Sequence, residues 1–430
     1  MAVPRRWANL DIKLVTEIMN RVPCPIDRAR MAAVCQAWLA AVAQAEPSTF
    51  QLPSLLLPPA DVTGVYCYLS GCREHNMLPL PLPLHGPRYF GSYDGGWFFL
   101  ACYHSCAHRL LNIRTGDCRA LPDVLERHAD HKVHSMVILA ATLSSPPDHQ
   151  HWIAAAIVTY QPDLNGPHRR HFAFWRAGDK VALDCDVLPA ALVGPGWELE
   201  DVACYRDSFH FLTKDGHILV CGGAYDDNGE VIQVALLALT CCQIEAECSD
   251  EQFVRARYLV VSRGELLMVV RLAAHRHAPT SSFKVFRMYI TEADDKIRGL
   301  FGSTTKPPRR TTVLPHQVWR PIRPPRHQTS LRTWIELSAL GGRMLFVGRG
   351  CSRSYEVREY PGFKEGIFFL DDRSFYDAEM TFGGVNERPR YPCNDIGRWS
   401  PPEGPLPSHV ELYFPERVPS YNSPPAWLLP

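Results

Sequence analysis

The feature that most constrains the fold is a long succession of short apolar or alternating runs, which begins near residue 90. Hairpin-type turn residues separate several of these runs, as at Arg114–Asp117, Lys214–Gly216 and Ser262–Gly264. No amphipathic helical pattern lies between the runs, and this combination is typical of antiparallel all-β proteins. The clearest runs are Trp97–Tyr103, Arg109–Ile113, Ile153–Tyr160, Phe172–Trp175, Ser208–Thr213, Arg257–Ser262, Glu265–Arg271, Ser282–Ile290, Arg343–Val347 and Gly366–Leu370.

The length of this β-rich part favours a propeller. About 340 residues follow residue 90, which is too many for one ordinary sandwich, whereas radial repetition lets many short sheets share one large core. Double glycines occur at Gly95–Gly96, Gly222–Gly223, Gly341–Gly342 and Gly383–Gly384, but their spacing does not match the roughly 50-residue period of kelch repeats. We therefore predict an irregular β-propeller with six or seven blades.

The first 46 residues have a different, helical pattern. A first helix is predicted to start at the cap residue Asn9 and to end before Pro23. A second helix follows from Asp27, and a third contains Trp38 and stops at Pro47. The apolar stripe of the first helix has a four-residue spacing and consists of Leu10, Leu14, Ile18 and Val22. Three such short helices make a very small core, so the unit would gain stability from a partner.

Charge and cysteine usage narrow the classes of function and the compartment. The chain has 45 basic and 45 acidic side chains, and this balance argues against a general nucleic-acid or membrane-surface binder. No apolar run reaches the roughly 18 residues of a membrane span, and no signal-peptide core is recognised. The 15 cysteines are irregularly spaced, which favours a reducing compartment, so we expect the cytoplasm, the nucleus or both.

One segment, 306–332, is strongly basic and rich in proline. It holds seven Lys or Arg residues, six prolines and no acidic residue, as an arm for nucleic acid or an acidic partner would. A solvated loop between two strands has the same composition. We expect the loop, because Trp319 alone could stack on a base, and nucleic acid is therefore not an expected partner.

Two clusters of potential metal ligands fail on spacing or on ligand type. The first comprises Cys102, His104, Cys106 and His108, which would share one face of a strand. An extended strand spreads positions six apart over about 20 Å, which is too wide for one ion. The second, His128, His131 and His134, could share a helical face, but nothing nearby completes a recognised ligand set. We expect neither a metal nor a cofactor.

Motifs of nucleophilic catalysis are missing from the sequence. There is no Gly-x-Ser-x-Gly elbow, no phosphate-binding Gly-x-x-x-x-Gly-Lys loop and no His-Glu-x-x-His. Asp371 and Asp372 are neighbours that would point to opposite faces of a strand, so we assign them to a turn. Cys351 lies between Arg349 and Arg353, which could lower its thiol pKa, although we expect a structural role. We therefore assign no catalytic residue and expect a non-enzymatic protein.

The N-terminal residues resemble an F-box. Its start corresponds to Trp7–Asp11, and its closing Val-Cys-x-x-Trp motif corresponds to Val34–Trp38. Asp11 stands where the family usually has proline, and Leu39 stands where arginine often follows the tryptophan. The remainder of the chain resembles the large plant F-box family whose C-terminal domain is a β-propeller. The resemblance rests on Gly91–Trp97, Leu110–Asn112, Phe172–Trp175, Arg257–Ser262, Gly264–Val269, Ser282–Phe286, Leu345–Ser354, Tyr360–Gly362 and Phe368–Asp372.

The resemblance implies a substrate receptor of a Skp–cullin–F-box ubiquitin ligase. Its F-box would dock on a Skp-type adaptor, and through it a cullin, while the propeller would bind an unknown target protein. The expected adaptor-binding residues are Leu10, Leu14, Ile18, Val34 and Trp38. Two alternatives stay open: a catalytic propeller with an axial hydrolase site, and a scaffold that acts without a ligase.

The same interpretation divides the chain into four parts. Residues 1–47 are assigned to the F-box, and residues 48–88 to a Leu/Pro-rich linker with a first propeller contact. The propeller is assigned to residues 89–415, and residues 416–430 to a Pro-rich tail.

Overall fold

The computed structural model describes residues 7, 10–22, 24–44, 51–58, 64–67, 72–76, 86–102, 106–127, 131–149, 151–160, 170–184, 197–225, 231–240, 242–244, 252–289, 332–360, 362–377, 380 and 391–430. The basic segment 306–332 lies outside this range except for Arg332. Within the described part, no helix is long and apolar enough to cross a membrane.

Three short helices form the N-terminal helical unit: α1 (Ile12–Asn20), α2 (Pro25–Ala32) and α3 (Gln36–Gln44). Their caps differ from the predicted ones. Asp11, and not Asn9, caps α1, and its side chain accepts a hydrogen bond from the Lys13 amide at 2.8 Å. The second helix was predicted to begin at Asp27, but α2 begins two residues earlier, at Pro25. Proline is tolerated there because the first turn of a helix needs no amide proton.

The helical unit has its own small core. The side chains of Val15, Met19, Trp38 and Ala41 are buried, and they come from α1 and α3. The indole Nε1 of Trp38 donates to the Trp7 carbonyl at 3.3 Å. Four side chains make a core of minimal size, as expected for a unit of this length.

The rest of the described chain forms six sheets, the blades of a propeller. Blade 1 contains β28 (Ala426–Leu428), β1 (Ser54–Leu57), β2 (Gly64–Cys67) and β3 (Cys72–Asn76). Blade 2 contains β4 (Arg88–Tyr93), β5 (Trp97–Ala101), β6 (His108–Asn112) and β7 (Cys118–Ala120). Blade 3 contains β10 (Val137–Leu143), β11 (Ile153–Thr159), β12 (Arg170–Arg176), β13 (Val181–Leu183), β8 (Val124–Glu126) and β9 (Val133–Ser135).

The other three blades follow in chain order. Blade 4 contains β14 (Leu199–Tyr205), β15 (Ser208–Thr213), β16 (Ile218–Tyr225) and β17 (Val231–Thr240). Blade 5 contains β19 (Phe253–Ser262), β20 (Glu265–Ala273), β21 (Thr280–Tyr289), β22 (Arg332–Glu336) and β18 (Cys242–Ile244). Blade 6 contains β24 (Arg353–Glu356), β23 (Arg343–Val347), β25 (Gly366–Phe369), β26 (Gly397–Ser400) and β27 (His409–Leu412).

The blades stack face to face around a ring. The first-named strands of consecutive blades contact one another from β28 through β4, β10, β14 and β19 to β24, so they line the axis. Six apolar clusters fill the spaces between consecutive blades. Both faces of a blade are therefore covered, which is why every residue of β10 and β11 is buried. The predicted fold class, an irregular propeller behind a small helical unit, is confirmed, with six blades.

Blade 1 joins chain segments that are far apart in sequence. Strand β28 pairs antiparallel with β1, and it packs against β4 of blade 2. The boundaries predicted for the propeller, residues 89–415, are too narrow. Part of the predicted linker (β1–β3) and part of the predicted tail (β28) also belong to it. A three-residue strand such as β28 shows no periodicity, and the surrounding prolines concealed it.

Candidate functional site

The helical unit exposes several large apolar side chains. Leu14 of α1, Val34 in the turn before α3 and Leu39 of α3 are each 55% exposed, and Ile12 is 41% exposed. With Trp7, these are five of the twelve large apolar side chains that are exposed in the described residues. We call Ile12, Leu14, Val34 and Leu39 the apolar helix surface. Single exposed apolar residues are common, but such a concentration in one small unit is typical of a binding surface.

The five residues predicted to bind an adaptor do not share one environment. Leu14 and Val34 are exposed, while Leu10 and Ile18 are half-buried. Trp38 differs from the prediction, because it lies in the core of the unit and is only 7% exposed. Its ring therefore supports the helices from inside and offers no surface to a partner.

The face that α1 turns inward explains this placement. Val15 and Met19 lie four residues apart on α1, and both are fully buried. The predicted stripe through Leu14 and Ile18 is offset from them by one residue, so it points about 100° away from the core of the unit. Sequence reasoning missed Ile12 and Leu39 as exposed residues. The Val15–Met19 pair was the signal that could have revealed this exposure. It forms a second apolar stripe on one short helix, and only one of the two stripes can face the core.

A loop of blade 6 fills the centre of the ring. This loop, Gly348–Ser352, connects β23 to β24, and Gly350 has a positive φ of 71°. A Cβ atom at Gly350 would lie 2.5 Å from the Ala141 carbonyl oxygen of β10, so only glycine fits. The Gly350 amide donates to Asp201 of β14 at 2.6 Å. The Gly-Arg-Gly run thus joins blades 3, 4 and 6 at the axis.

Charged side chains beside this loop are buried and paired. Arg349 donates to the Glu200 carbonyl at 2.6 Å and to its carboxylate at 3.3 Å, and its guanidinium lies over the Tyr376 ring at 4.3 Å. Burial alone would raise the pKa of Glu200, but Arg349 and Arg170 hold it below its usual value. Burial raises the pKa of Asp201 to about 7, although three backbone amides donate to it.

A second buried cation fixes the segment that follows β25. Arg271 of β20 has no solvent exposure, and it donates to Asp372 at 2.8 Å and to Asp395 at 2.9 Å. It also donates to the Thr280 hydroxyl at 2.7 Å. Asp371 bonds instead to Arg373, at 2.6 and 2.8 Å. The two neighbouring aspartates directly precede the turn at residues 373–376 and point to different partners.

The arrangement at the axis is a packed joint between blades. The carboxylates of Glu200, Asp201 and Asp372 all accept hydrogen bonds from arginines, a tyrosine or backbone amides. A space of about 20 Å³ remains beside Arg349 and Trp427, which is room for roughly one water molecule. Across the described ranges, no group of three or more His, Cys, Asp or Glu side chains is placed to hold a metal ion.

The single cysteines considered for reactivity or metal binding are placed as follows. Cys351 is 4% exposed, and burial raises the pKa of its thiol to about 11, against the lowering effect of Arg353; this placement fits the structural role expected for it. Cys102 is half-buried and burial raises its pKa, whereas Cys106 is exposed. His104, the remaining member of that cluster besides His108, lies outside the described residues.

The three histidines at 128–134 also have separate places. His131 is exposed and lies 3.1 Å from the Glu126 carboxylate. His134 is half-buried and stacks on Tyr160 with ring centroids 4.8 Å apart. His128 is not among the described residues.

His108 is buried within blade 2, and both ring nitrogens are used. Nδ1 lies 2.7 Å from the Asp123 carboxylate and 3.2 Å from the Pro122 carbonyl, so it carries the proton. Nε2 accepts from the Ile138 amide at 3.3 Å, which requires the neutral ring. Burial lowers the pKa of His108, against the opposing effect of Asp123.

This geometry predicts a pH dependence of stability. Below about pH 6.5 the unfolded state takes up a proton on His108 that the folded state excludes, so stability is present above that pH and is lost as the pH falls. The slope from one group is at most about 1.4 kcal/mol per pH unit. Urea denaturation at pH 7.5 and 5.5 should show a smaller loss for His108→Gln than for the wild type. The exposed-site control His131→Gln should keep the wild-type loss, and equal losses in all three proteins would contradict the assignment.

Comparison with known proteins identifies the ring. The family model for the KIB1-4 beta-propeller matches residues 69–397. This range starts after the helical unit, between β2 and β3 of blade 1, and it ends at the first residue of β26 in blade 6. No curated protein sequence matches the chain. Because the match covers most of the six-bladed ring, the chain belongs to the KIB1-4 β-propeller family.

Proposed function

We propose that this protein is the substrate-receptor subunit of a Skp–cullin–F-box ubiquitin ligase. The helical unit binds a Skp-type adaptor, which connects it to a cullin, and the propeller binds the target protein. The protein itself performs no chemical step. The observation that carries the proposal is the apolar helix surface, which lies on a unit separate from the propeller.

The size of the apolar helix surface supports an adaptor role. Burying one large apolar side chain contributes about 1.5–3 kcal/mol, so a few such residues can carry an interface. Leu14, Val34 and Leu39 are each more than half exposed, and their burial in a partner's groove would be favourable. They belong to α1, α3 and the turn before α3, all within the one helical unit.

The propeller supports a binding role more than an axial enzyme. Arg349 and Tyr376 occupy the centre of the ring together with Phe375. A substrate of an axial hydrolase would have to displace these side chains. The rims and the inter-strand loops remain for a target protein, and we place both partners in the cytoplasm or the nucleus.

The test is co-purification of the full-length protein with a Skp-type adaptor. Leu14→Glu combined with Leu39→Glu introduces two charges into the apolar helix surface without touching the buried core. We expect this variant to lose adaptor binding by at least about 100-fold, because each lost apolar contact costs more than 1 kcal/mol and each charge adds a desolvation penalty. Trp38 is unsuitable for this test, since its removal would damage the core of the unit.

The matched control is Leu406→Glu. Leu406 lies between β26 and β27 of the propeller and is 64% exposed. It should bind the adaptor as the wild type does. Wild-type affinity of the double variant, with the same melting temperature, would refute the adaptor assignment.

A further inference from the structure

A cleft lies on the surface where blade 5 meets blade 6. Its walls are Arg263 in the β19–β20 turn, Gly341 and Gly342 before β23, Glu356 at the end of β24, and Arg358 just after it. We call these five residues the blade 5–6 cleft. We propose that this cleft binds the phosphate group of a phosphate ester. The inference does not depend on the proposed ligase function.

The cleft has the size of a small-molecule site. Its volume is about 430 Å³, within the range of about 300–1,000 Å³ that is typical of ligand pockets. The side chains that line it are all charged, because its other two residues are glycines. A phosphate group would fill part of this volume and leave room for the molecule that carries it.

The guanidinium of Arg263 is held in place with one nitrogen left for a ligand. Its Nε and Nη2 donate to the two carboxylate oxygens of Glu356 at 2.7 and 2.5 Å. Nη2 also donates to the Gly341 carbonyl at 2.8 Å. Nη1 makes no hydrogen bond with a described residue, and the side chain is 40% exposed. Glu356 therefore orients Arg263, whose Nη1 can donate to an oxyanion.

Gly341 leaves an open position beside two arginines. Its φ is 63°, and a Cβ atom there would lie 3.4 Å from Nη1 of Arg343 and 3.8 Å from Nη1 of Arg263. Nη1 of Arg343 donates to the Leu340 carbonyl at 2.8 Å, which uses one of its two hydrogens. An oxygen atom near the open position needs to move only a few tenths of an ångström to accept from both arginines.

The charge around the cleft also favours an anion. Arg358 is exposed and makes no hydrogen bond or ion pair with a described residue. Burial and the neighbouring Arg263 lower the pKa of Arg343, although Glu265 lies 3.6 Å from it. The nearby carboxylates already accept hydrogen bonds, namely Glu356 from Arg263, Glu365 from the Gly342 amide and Glu265 from Arg287. A phosphate dianion with three terminal oxygens matches the three arginine groups better than a single carboxylate does.

The experiment titrates the full-length protein with phosphate compounds and measures binding by calorimetry at constant ionic strength. It is done at about pH 8, where phosphate esters are dianions. The probes are inorganic phosphate, glycerol phosphate and a capped peptide with one phosphoserine. We expect saturable binding of inorganic phosphate with a dissociation constant on the order of 1 mM. Tighter binding of one ester identifies its carrier as a small molecule or a protein segment.

Two variants remove different parts of the site. Arg358→Gln removes an exposed cation, and Gly341→Asn fills the open position with a residue that tolerates a left-handed backbone. Each should weaken phosphate binding at least about 10-fold, as the loss of a charge-assisted hydrogen bond does. The matched control Arg276→Gln removes an exposed arginine of the β20–β21 turn and should keep the wild-type affinity.

Three results would overturn the proposal. The first is that no phosphate compound binds the wild type saturably. The second is an equal loss of affinity in Arg358→Gln and Arg276→Gln, which indicates a general effect of charge. The third is that acetate binds as tightly as phosphate, which assigns the cleft to carboxylates. If Gly341→Asn melts at a lower temperature than the wild type, Arg358→Gln alone decides.

Discussion

Replacement of Trp427 by alanine is expected to lower the free energy of unfolding by about 3–5 kcal/mol, the range for a fully buried large aromatic residue. Trp427 lies in β28, has no solvent exposure, and packs edge-on against Phe346 of blade 6 with ring centroids 5.2 Å apart. Its indole also donates to the Val347 carbonyl at 2.8 Å. The residue therefore connects blade 1 to blade 6, and its loss leaves a cavity at the closure of the ring.

Urea denaturation followed by circular dichroism measures this effect. Tyr421→Ala is the matched control, because Tyr421 is an aromatic residue of the same C-terminal segment but is 45% exposed. We expect a change within about 0.5 kcal/mol for this control. Deletion of residues 421–430 should be more damaging than Trp427→Ala, since it removes the whole of β28 and leaves β1 without one of its neighbours. Equal stability of Trp427→Ala and Tyr421→Ala would show that closure does not depend on this contact.

Replacement of Arg271 by methionine is expected to cost about 3–5 kcal/mol, because it removes the buried cation that donates hydrogen bonds to two carboxylates, Asp372 and Asp395. Arg271 is fully buried, and Asp395 is 1% exposed. Arg271 holds the segment after β25 to blade 5 through Asp372, and the segment before β26 through Asp395. Arg263→Met is the control, because Arg263 also pairs with a carboxylate, that of Glu356, but is 40% exposed. An exposed pair contributes about 0–1 kcal/mol.

A double-mutant cycle separates the charge effect from lost packing. The cost of Arg271→Met combined with Asp395→Asn should be smaller than the sum of the two single costs, because the double variant no longer buries an Asp395 carboxylate that has lost the hydrogen bonds of Arg271. Additive costs would indicate that Arg271 acts through its packing alone.

The sequence predicted the elements whose residues repeat a simple pattern. The runs at 153–160 and 265–271 became β11 and β20, because both faces of a blade are covered and such strands are largely apolar. The three helices were recognisable from their apolar spacing and prolines. The length of the β-rich part and the family resemblance both predicted the propeller, and the match over residues 69–397 supports it.

What the sequence did not predict depends on contacts between distant residues. The pairing of β28 with β1 joins residues near 55 and 427, and neither short segment has a periodicity of its own. The position of Trp38 depended on which of two stripes α1 turns inward. Arg271 precedes its partners Asp372 and Asp395 by more than a hundred residues. No local spacing in the sequence therefore reveals this buried network of ion pairs.

The closure of blade 1 also has a consequence during protein synthesis. Some 370 residues separate β1 from β28, and a ribosome adds about 5–20 residues per second. For tens of seconds, therefore, the nascent chain holds β1 with one hydrogen-bonding edge open and β4 with one side uncovered. The core of the helical unit contains none of the later residues, so the unit can fold while the ring is still an open arc. Chaperones that protect strand edges would act on this chain in that interval.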